Sequence, residues 1–173
     1  MKFMLALAFV LPGLHLAAQT QVSAPDPWKA LAFLEGTWEA KAQGSGGAAA
    51  SGAYTFRREL GGHILARHST TQAGCKAPDS FDCEHGDLLY VYADMPGQPL
   101  KAIYFDNEGH VIHYDVSTPT ATTVMFLSDP ATPGPQFRLV YEKKDSLMFG
   151  KFQMHMPGQT DWKSYLEWSG SKK

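Results

Sequence analysis

Apolar and polar residues alternate along most of the chain after residue 36, and this alternation predicts β-strands with one face toward a core. Tyr54, Phe56 and Arg58, for example, fall on one face of a single strand. The predicted strands cover ten segments, which are 37–42, 53–60, 63–71, 87–93, 100–106, 111–116, 122–127, 136–143, 146–156 and 162–169.

Seven of the nine connections between these strands are short and carry Gly, Pro, Asp or Asn, the residues that tight turns require. The other two, 43–52 and 72–86, are longer loops. Gly61 and Gly62 predict a two-residue β-hairpin. No long crossover separates any two strands, which argues against a parallel sheet. The pattern predicts an all-β fold, an antiparallel up-and-down β-barrel of about ten strands, because closure removes the exposed edges of so large a sheet. A β-sandwich is the alternative, although sandwiches usually need Greek-key connections.

The segment 26–35 shows a helical rather than an alternating pattern, because Trp28, Leu31 and Leu34 recur at helical spacing. Asp26 at its start is a typical N-cap residue. Gly36 is expected to end the helix. We therefore expect a short N-terminal helix that closes one end of the barrel.

Residues 1–18 have the composition of a signal peptide, with one lysine and an apolar run ahead of small residues. Residues 19–25 are expected to be a flexible leader, and residues 26–170 a single barrel domain. The protein is therefore expected to be exported, to the periplasm or beyond the cell, with no membrane span after cleavage. A membrane anchor that is never cleaved is the alternative.

The charged residues are balanced, with 15 Lys and Arg against 17 Asp and Glu and a net charge of −2. No Lys/Arg cluster is present, so the sequence gives no indication of nucleic-acid binding. It indicates no particular oligomeric state or macromolecular partner.

Cys75 and Cys83 both lie in the part of the chain that is expected to be exported. An oxidising compartment favours a disulfide between them, which we predict. Glu84 and His85 follow Cys83 directly, so a metal site is a weaker alternative, and free thiols are a third.

Three stretches of the chain resemble the calycin superfamily of β-barrels, which includes the lipocalins. These stretches read FLEGTWEA (33–40), RRELGGHILARHS (57–69) and IYFDNEGHVIHYDV (103–116). They are most similar to the small nitrobindin-like barrels and to a related bacterial family of unknown function. In lipocalins, a Gly-x-Trp motif begins the first strand and its tryptophan closes one barrel end. The resemblance implies that Gly36 permits the turn from helix to strand and that Trp38 covers the end of the core.

Nitrobindin-like proteins bind haem through a histidine near the C-terminus, and the resemblance therefore raises haem as a cofactor. The last predicted strand has no histidine, which makes His155, one strand earlier, a weak candidate for the iron ligand. Its alternation with Phe152, Met154 and Met156 suggests that His155 points outward. The sequence contains no zinc-type histidine spacing, nucleophile elbow or phosphate-binding glycine loop that would indicate catalysis.

The strands are rich in tyrosine and methionine, which suit either an ordinary core or a ligand cup with polar tips. Arg58 shares a face with apolar residues and is expected either to meet a ligand anion or to reach water at the barrel rim. The candidate ligand-binding residues are Arg58, Tyr90, Tyr92, Tyr104, His113 and Phe126. The candidate structural residues are Gly36, Trp38, Gly61 and Gly62.

Taken together, these features predict an exported binding protein for a small apolar or amphipathic ligand, without a catalytic role. A haem protein acting on nitrogen oxides is one alternative. An interaction scaffold of the cell envelope, with an unknown partner, is the other.

Overall fold

The computed structural model describes residues 26–44, 49–71, 84–129 and 134–173. Within these ranges the chain forms ten antiparallel strands in a closed barrel, in which each strand pairs with its neighbours in sequence. The strands are β1 Gly36–Gly44, β2 Ala49–Glu59, β3 Ile64–Thr71, β4 Gly86–Ala93, β5 Leu100–Asp106, β6 Val111–Thr120, β7 Thr123–Ser128, β8 Gln136–Lys144, β9 Leu147–His155 and β10 Lys163–Lys172. The prediction of an all-β up-and-down barrel is confirmed.

The first and last strands close the barrel. β1 and β10 pair in antiparallel register from Trp38 opposite Lys172 to Gly44 opposite Leu166. β1 also pairs with β2 along its other side, so the sheet has no terminal strand with a free edge. No helix among the described residues is long and apolar enough to cross a bilayer.

Because the strands alternate in direction, the connections divide between two barrel ends. At the lower end lie the N-terminal segment before β1 and the turns 60–63, 94–99, 121–122 and 145–146. At the upper end lie the described turns 107–110 and 156–162, together with the strand ends at Gly44, Ala49, Thr71, Gly86, Ser128 and Gln136.

The predicted N-terminal helix is present as a short 3₁₀ helix, Lys29–Leu34, with Leu31 and Leu34 buried. Asp26 accepts a hydrogen bond from the backbone N–H of Trp28 at 3.0 Å, which fixes the start of the turn. The helix has only six residues and is followed, after Glu35, by Gly36, whose φ of 121° directs the chain into β1.

Trp38 lies directly above this helix and is only 1% exposed. Its indole N–H donates to the carbonyl oxygen of Leu34 at 2.9 Å. The Lys172 ammonium lies 5.6 Å from the centre of the Trp38 ring. The indole therefore joins the 3₁₀ helix to the lower end of the barrel, with its only polar atom satisfied.

The connection at Gly61 and Gly62 differs from the two-residue hairpin that the sequence predicts. β2 ends at Glu59, and Leu60–Gly62 forms a separate 3₁₀ turn before β3. Leu60, Gly61 and Gly62 all have positive φ, of 47°, 66° and 91°. Leu60 leaves the strand because this turn needs a third left-handed residue, and its side chain is 73% exposed as a result.

Candidate ligand-binding site in the barrel interior

The strand register shows which side chains face the interior. Phe56 lies opposite Arg67, and Arg67 lies opposite Leu89, so all three point inward. In the lower half the inward side chains are apolar and 0–5% exposed, and they include Phe56, Leu65, Val91, Leu100, Val124 and Met148. This half of the interior is an ordinary hydrophobic core.

Above this core lies a polar layer, made of inward side chains with hydrogen-bonding groups. We define the polar layer as Tyr54, Arg67, Ser69, Asp87, Tyr114, Tyr141 and Trp168. Tyr141 is at its centre and is fully buried, with its ring 5.8 Å from that of Tyr54 and 5.5 Å from that of Trp168. Gly150 lies beneath Trp168, and a Cβ at this position would overlap the indole. The glycine thus makes room for the tryptophan inside the barrel.

The polar layer contains a buried ion pair. The Arg67 guanidinium donates to a carboxylate oxygen of Asp87 and to the hydroxyl oxygen of Tyr141. Ser69 donates to the second carboxylate oxygen of Asp87. The side chains of Arg67 and Asp87 are only 6% and 10% exposed, so each charge depends on the other for compensation.

The pKa values of Arg67 and Asp87 reflect the competition between burial and the attraction between the two charges. Burial acts to raise the pKa of Asp87, but Arg67, His85 and Ser69 outweigh it and lower the value to about 2. Burial acts to lower the pKa of Arg67, but Asp87 and Tyr141 outweigh it and raise the value. Burial also raises the pKa of Tyr141, to about 12. At neutral pH the layer therefore holds one buried guanidinium, one buried carboxylate and neutral tyrosines.

His85 joins the ion pair to the upper rim. Its Nε2 lies 3.5 Å from Asp87, and its Nδ1 lies 3.1 Å from Glu108 in the turn between β5 and β6. The Tyr104 hydroxyl lies 3.3 Å from the same Nε2. The hydrogen bond to Asp87 raises the pKa of His85 to about 9 against the opposing effect of burial, with a further contribution from Glu108. The imidazole is therefore a cation at neutral pH.

Four buried polar atoms of the polar layer have no hydrogen-bond partner within the part of the chain that the structure describes, and they are Arg67 Nε, Tyr54 Oη, Tyr114 Oη and Trp168 Nε1. Burial raises the pKa of Tyr54 and of Tyr114, so both hydroxyls keep their protons. The Trp168 N–H interacts with the Tyr54 hydroxyl and opposes this rise, without completing a hydrogen bond. Unsatisfied buried polar atoms are rare and costly, so their concentration in one layer sets this layer apart from the apolar core below it.

Above the polar layer lies a set of inward side chains that are apolar but only partly buried. We call this set the apolar mouth, and it consists of Ala42, Ile112, Phe137, Phe152 and Leu166. The rings of Phe137 and Phe152 stack with a centroid distance of 5.6 Å and an interplanar angle of 10°. The contrast with the fully buried lower core shows that the upper end is the more open end of the described barrel.

The structure divides the predicted ligand-binding residues between the two faces of the sheet. Tyr104 and Phe126 point inward, and Phe126 is fully buried. Tyr90, Tyr92 and His113 point outward, because their strand neighbours take the inward positions. These three side chains therefore do not line the interior.

Arg58 lies at the lower end, away from the polar layer. Its guanidinium donates to the carbonyl oxygen of Gly62 and lies 4.0 Å from the centre of the Trp28 ring. It thus secures the β2–β3 turn against the N-terminal segment. Arg58 was expected either to meet a ligand anion or to reach water at the barrel rim, and the structure places it at the rim.

The interior of the described barrel offers haem no axial histidine. His155 lies on the outer face, with its ring 5.4 Å from that of Trp162. His85 approaches the interior, but its two nitrogens face Asp87 and Glu108. The described residues also contain no group of three metal-ligating side chains. Cys75 and Cys83, with their predicted disulfide, lie outside the described residues.

Sequence reasoning missed the residues that form the polar layer, above all Arg67 and Asp87. In β3 the alternation puts Ile64, Ala66 and His68 on one face without showing which face is inward, and the inward face carries Arg67. The sequence feature that could have placed Arg67 in the interior is the hairpin at Gly61 and Gly62. Pairing residues outward from these two glycines puts Arg67 opposite Phe56.

The chain matches no protein-family model and no curated protein. It is similar in fold to a solved structure described as a redesigned β-barrel, at 11% identity and a TM-score of 0.38, over 84% of this chain and 96% of that chain. It is similar also to a structure of EF1p2_mFAP2b bound to DFHBI, at 11% identity and a TM-score of 0.37, over 84% of this chain and 98% of that chain. Likenesses this distant carry no information about a ligand of the present chain.

Proposed function

We propose that this protein is a binding protein that holds a small amphipathic molecule in the upper half of its barrel. The polar end of the ligand meets the polar layer, and its apolar part lies in the apolar mouth. The observation that carries this proposal is the set of four buried polar atoms without a partner, at Arg67, Tyr54, Tyr114 and Trp168.

The energetics favour an occupant at this position. A buried donor without an acceptor costs about 1–3 kcal/mol, so a ligand that supplies acceptors recovers part of that free energy. The partly exposed side chains of the apolar mouth add a hydrophobic contribution of about 25 cal/mol for each Å² that the ligand covers. Phe137 and Phe152 present stacked aromatic surface for this contact.

The chemistry of the polar layer favours binding over catalysis. Ser69 is the serine of the polar layer, and its hydroxyl donates to Asp87 instead of facing a histidine base. Nucleophilic catalysis requires the opposite arrangement, in which a base accepts the hydroxyl proton. Asp106, a second inward acid, accepts hydrogen bonds from the backbone N–H groups of Glu108 and His110 at 3.1 and 2.8 Å, and so stabilises a turn.

The direct test is a titration with N-phenylnaphthylamine, an uncharged dye whose emission rises in apolar surroundings. Ile112→Asp puts a charge into the apolar mouth and is expected to weaken dye binding at least tenfold. His113→Asp places the same charge one residue away on the outer face, and it is expected to leave binding within twofold. No saturable dye binding, or equal loss in both variants, would contradict the proposal.

We further propose that the chain is a calycin-like barrel that acts outside the cytoplasm. The 3₁₀ helix, followed by Gly36 and the buried Trp38, supports the first part. The signal-like composition of residues 1–18 supports the second. The intact mass of the protein from its native host tests export, with a chain that begins at Gln19 as the expected result. A full-length chain in the cytoplasmic fraction would contradict it.

A further inference from the structure

The four unsatisfied atoms of the polar layer define what the polar end of a ligand must offer. Arg67 Nε and Trp168 Nε1 carry a hydrogen and can only donate. The hydroxyls of Tyr54 and Tyr114 can donate or accept. A matching ligand group therefore needs at least one oxygen that accepts hydrogen bonds.

The charges around these atoms are already matched. The Arg67 guanidinium faces Asp87, and the cationic His85 faces Asp87 and Glu108. The remaining inward acid near this rim, Asp106, already faces His110, whose Nδ1 lies 2.9 Å from its carboxylate. A ligand carboxylate would thus bring a buried anion next to Asp87, with no further cation among the described residues to compensate it. A ligand ammonium would likewise bring a cation next to Arg67 and His85.

Building on the proposed function, we infer that the polar layer selects an uncharged acceptor group, such as the carbonyl oxygen of an amide, ester or ketone, on an apolar chain. Arg67 serves this selection in two ways. Its terminal nitrogens hold Asp87 and Tyr141. Its Nε has no acceptor among the described residues, and we assign it as the donor to the ligand oxygen. Asp87 neutralises the guanidinium and thereby removes the attraction that a free arginine would exert on fatty-acid carboxylates.

The matched probes are nonanamide, nonanoate and nonylammonium, which share an apolar chain and differ in the charge of the polar end. Each is titrated against protein loaded with N-phenylnaphthylamine at pH 7.5, and dye displacement gives the dissociation constant. We expect nonanamide to bind at least tenfold more tightly than either charged probe. Equal or tighter binding of nonanoate or nonylammonium would overturn the inference while leaving the proposed function intact.

If the dye binds but none of the three probes displaces it, the inference is also overturned. If neither the dye nor any probe binds, the proposed function fails and the inference with it. The variant Asp87→Asn tests the role of Asp87 separately, because it leaves the charge of Arg67 without a counter-charge. In this variant the preference for nonanamide over nonanoate is expected to fall at least tenfold. If the folded variant keeps the wild-type preference for nonanamide, the role of Asp87 is contradicted. If the variant does not fold, the comparison of the three probes on the wild-type protein still tests the inference.

Discussion

Arg67 and Asp87 form an ion pair inside the barrel, across one step of the β3–β4 register. Arg67 lies opposite Leu89 and Ser69 lies opposite Asp87, so the two charged side chains meet diagonally. The pair lies beneath the apolar mouth and beside the unsatisfied hydroxyls. Its position makes it a structural element and, under the proposed function, the charge that a ligand must accommodate.

Removal of one charge of the pair should destabilise the fold strongly. Asp87→Asn is expected to lower the free energy of unfolding by about 3–5 kcal/mol, because Arg67 then stays buried without a counter-charge. Asp94→Asn is the matched control, since Asp94 pairs with Lys101 on the surface. That control is expected to cost about 1 kcal/mol or less in chemical denaturation.

Replacement of both charges by apolar side chains should recover most of this loss. The double variant Arg67→Met with Asp87→Leu is expected to be about as stable as the wild type, because no uncompensated charge remains. A cost for Asp87→Asn no larger than for Asp94→Asn would show that the pair is not buried as described.

His85 should make the stability depend on pH in the alkaline range. Its pKa is raised from 6.5 to about 9 by Asp87 and Glu108, with Tyr104 also within reach. A raised pKa of a cation stabilises the folded state below the unfolded value, and the contribution disappears as pH rises through the folded value. The free energy of unfolding should thus fall between pH 6.5 and 9, by roughly 1–2 kcal/mol for this partly exposed ring.

Denaturation curves across this pH range give the measurement, with His85→Gln as the comparison. The variant is expected to show a flatter profile than the wild type, because glutamine does not titrate. Parallel profiles for the two proteins would assign the pH dependence to other groups.

Trp38 should contribute more to stability than a tryptophan on the outer face. Trp38→Ala is expected to cost about 3–5 kcal/mol, through lost packing and a lost hydrogen bond to Leu34. Trp162→Ala is the control, since Trp162 packs on the outside against Arg138 at 4.3 Å. A melting shift for Trp38→Ala no greater than for Trp162→Ala would contradict the closing role of the indole.

Gly150 should tolerate no side chain while Trp168 keeps its place. Gly150→Ala is expected to cost about 1–3 kcal/mol, because its Cβ overlaps the indole, and to change the emission of Trp168. Gly86→Ala is the control, since its Cβ finds only an ordinary contact of 3.8 Å with the Ser69 carbonyl oxygen. Unchanged emission and stability in Gly150→Ala would show that Trp168 does not fill this space.

The fold could be predicted from the sequence, whereas the candidate site could not. Ten alternating segments with short turns permit few architectures, and the barrel follows from the need to remove edges. Which face of each strand points inward is harder to predict, as β4 shows. Leu89 and Val91 alternate with Tyr90 and Tyr92, so both faces contain large side chains and alternation alone cannot rank them.

The polar layer was hidden for a related reason. In β3 an arginine on one face and a histidine on the other give the same local pattern, and only the pairing with Phe56 assigns Arg67 to the interior. The ion pair then depends on the register between β3 and β4, which the missing turn signal around residues 72–85 leaves undetermined in the sequence. Long-range register, rather than composition, decides which residues form the site.

The most direct test of the account is a crystal structure of the protein grown with nonanamide. We expect the carbonyl oxygen of the amide to accept a hydrogen bond from Arg67 Nε, from Tyr114 or from both, with its chain between the rings of the apolar mouth. A structure in which the amide lies on the outer face, or in which the polar layer bonds only to water while the amide is absent, would contradict it.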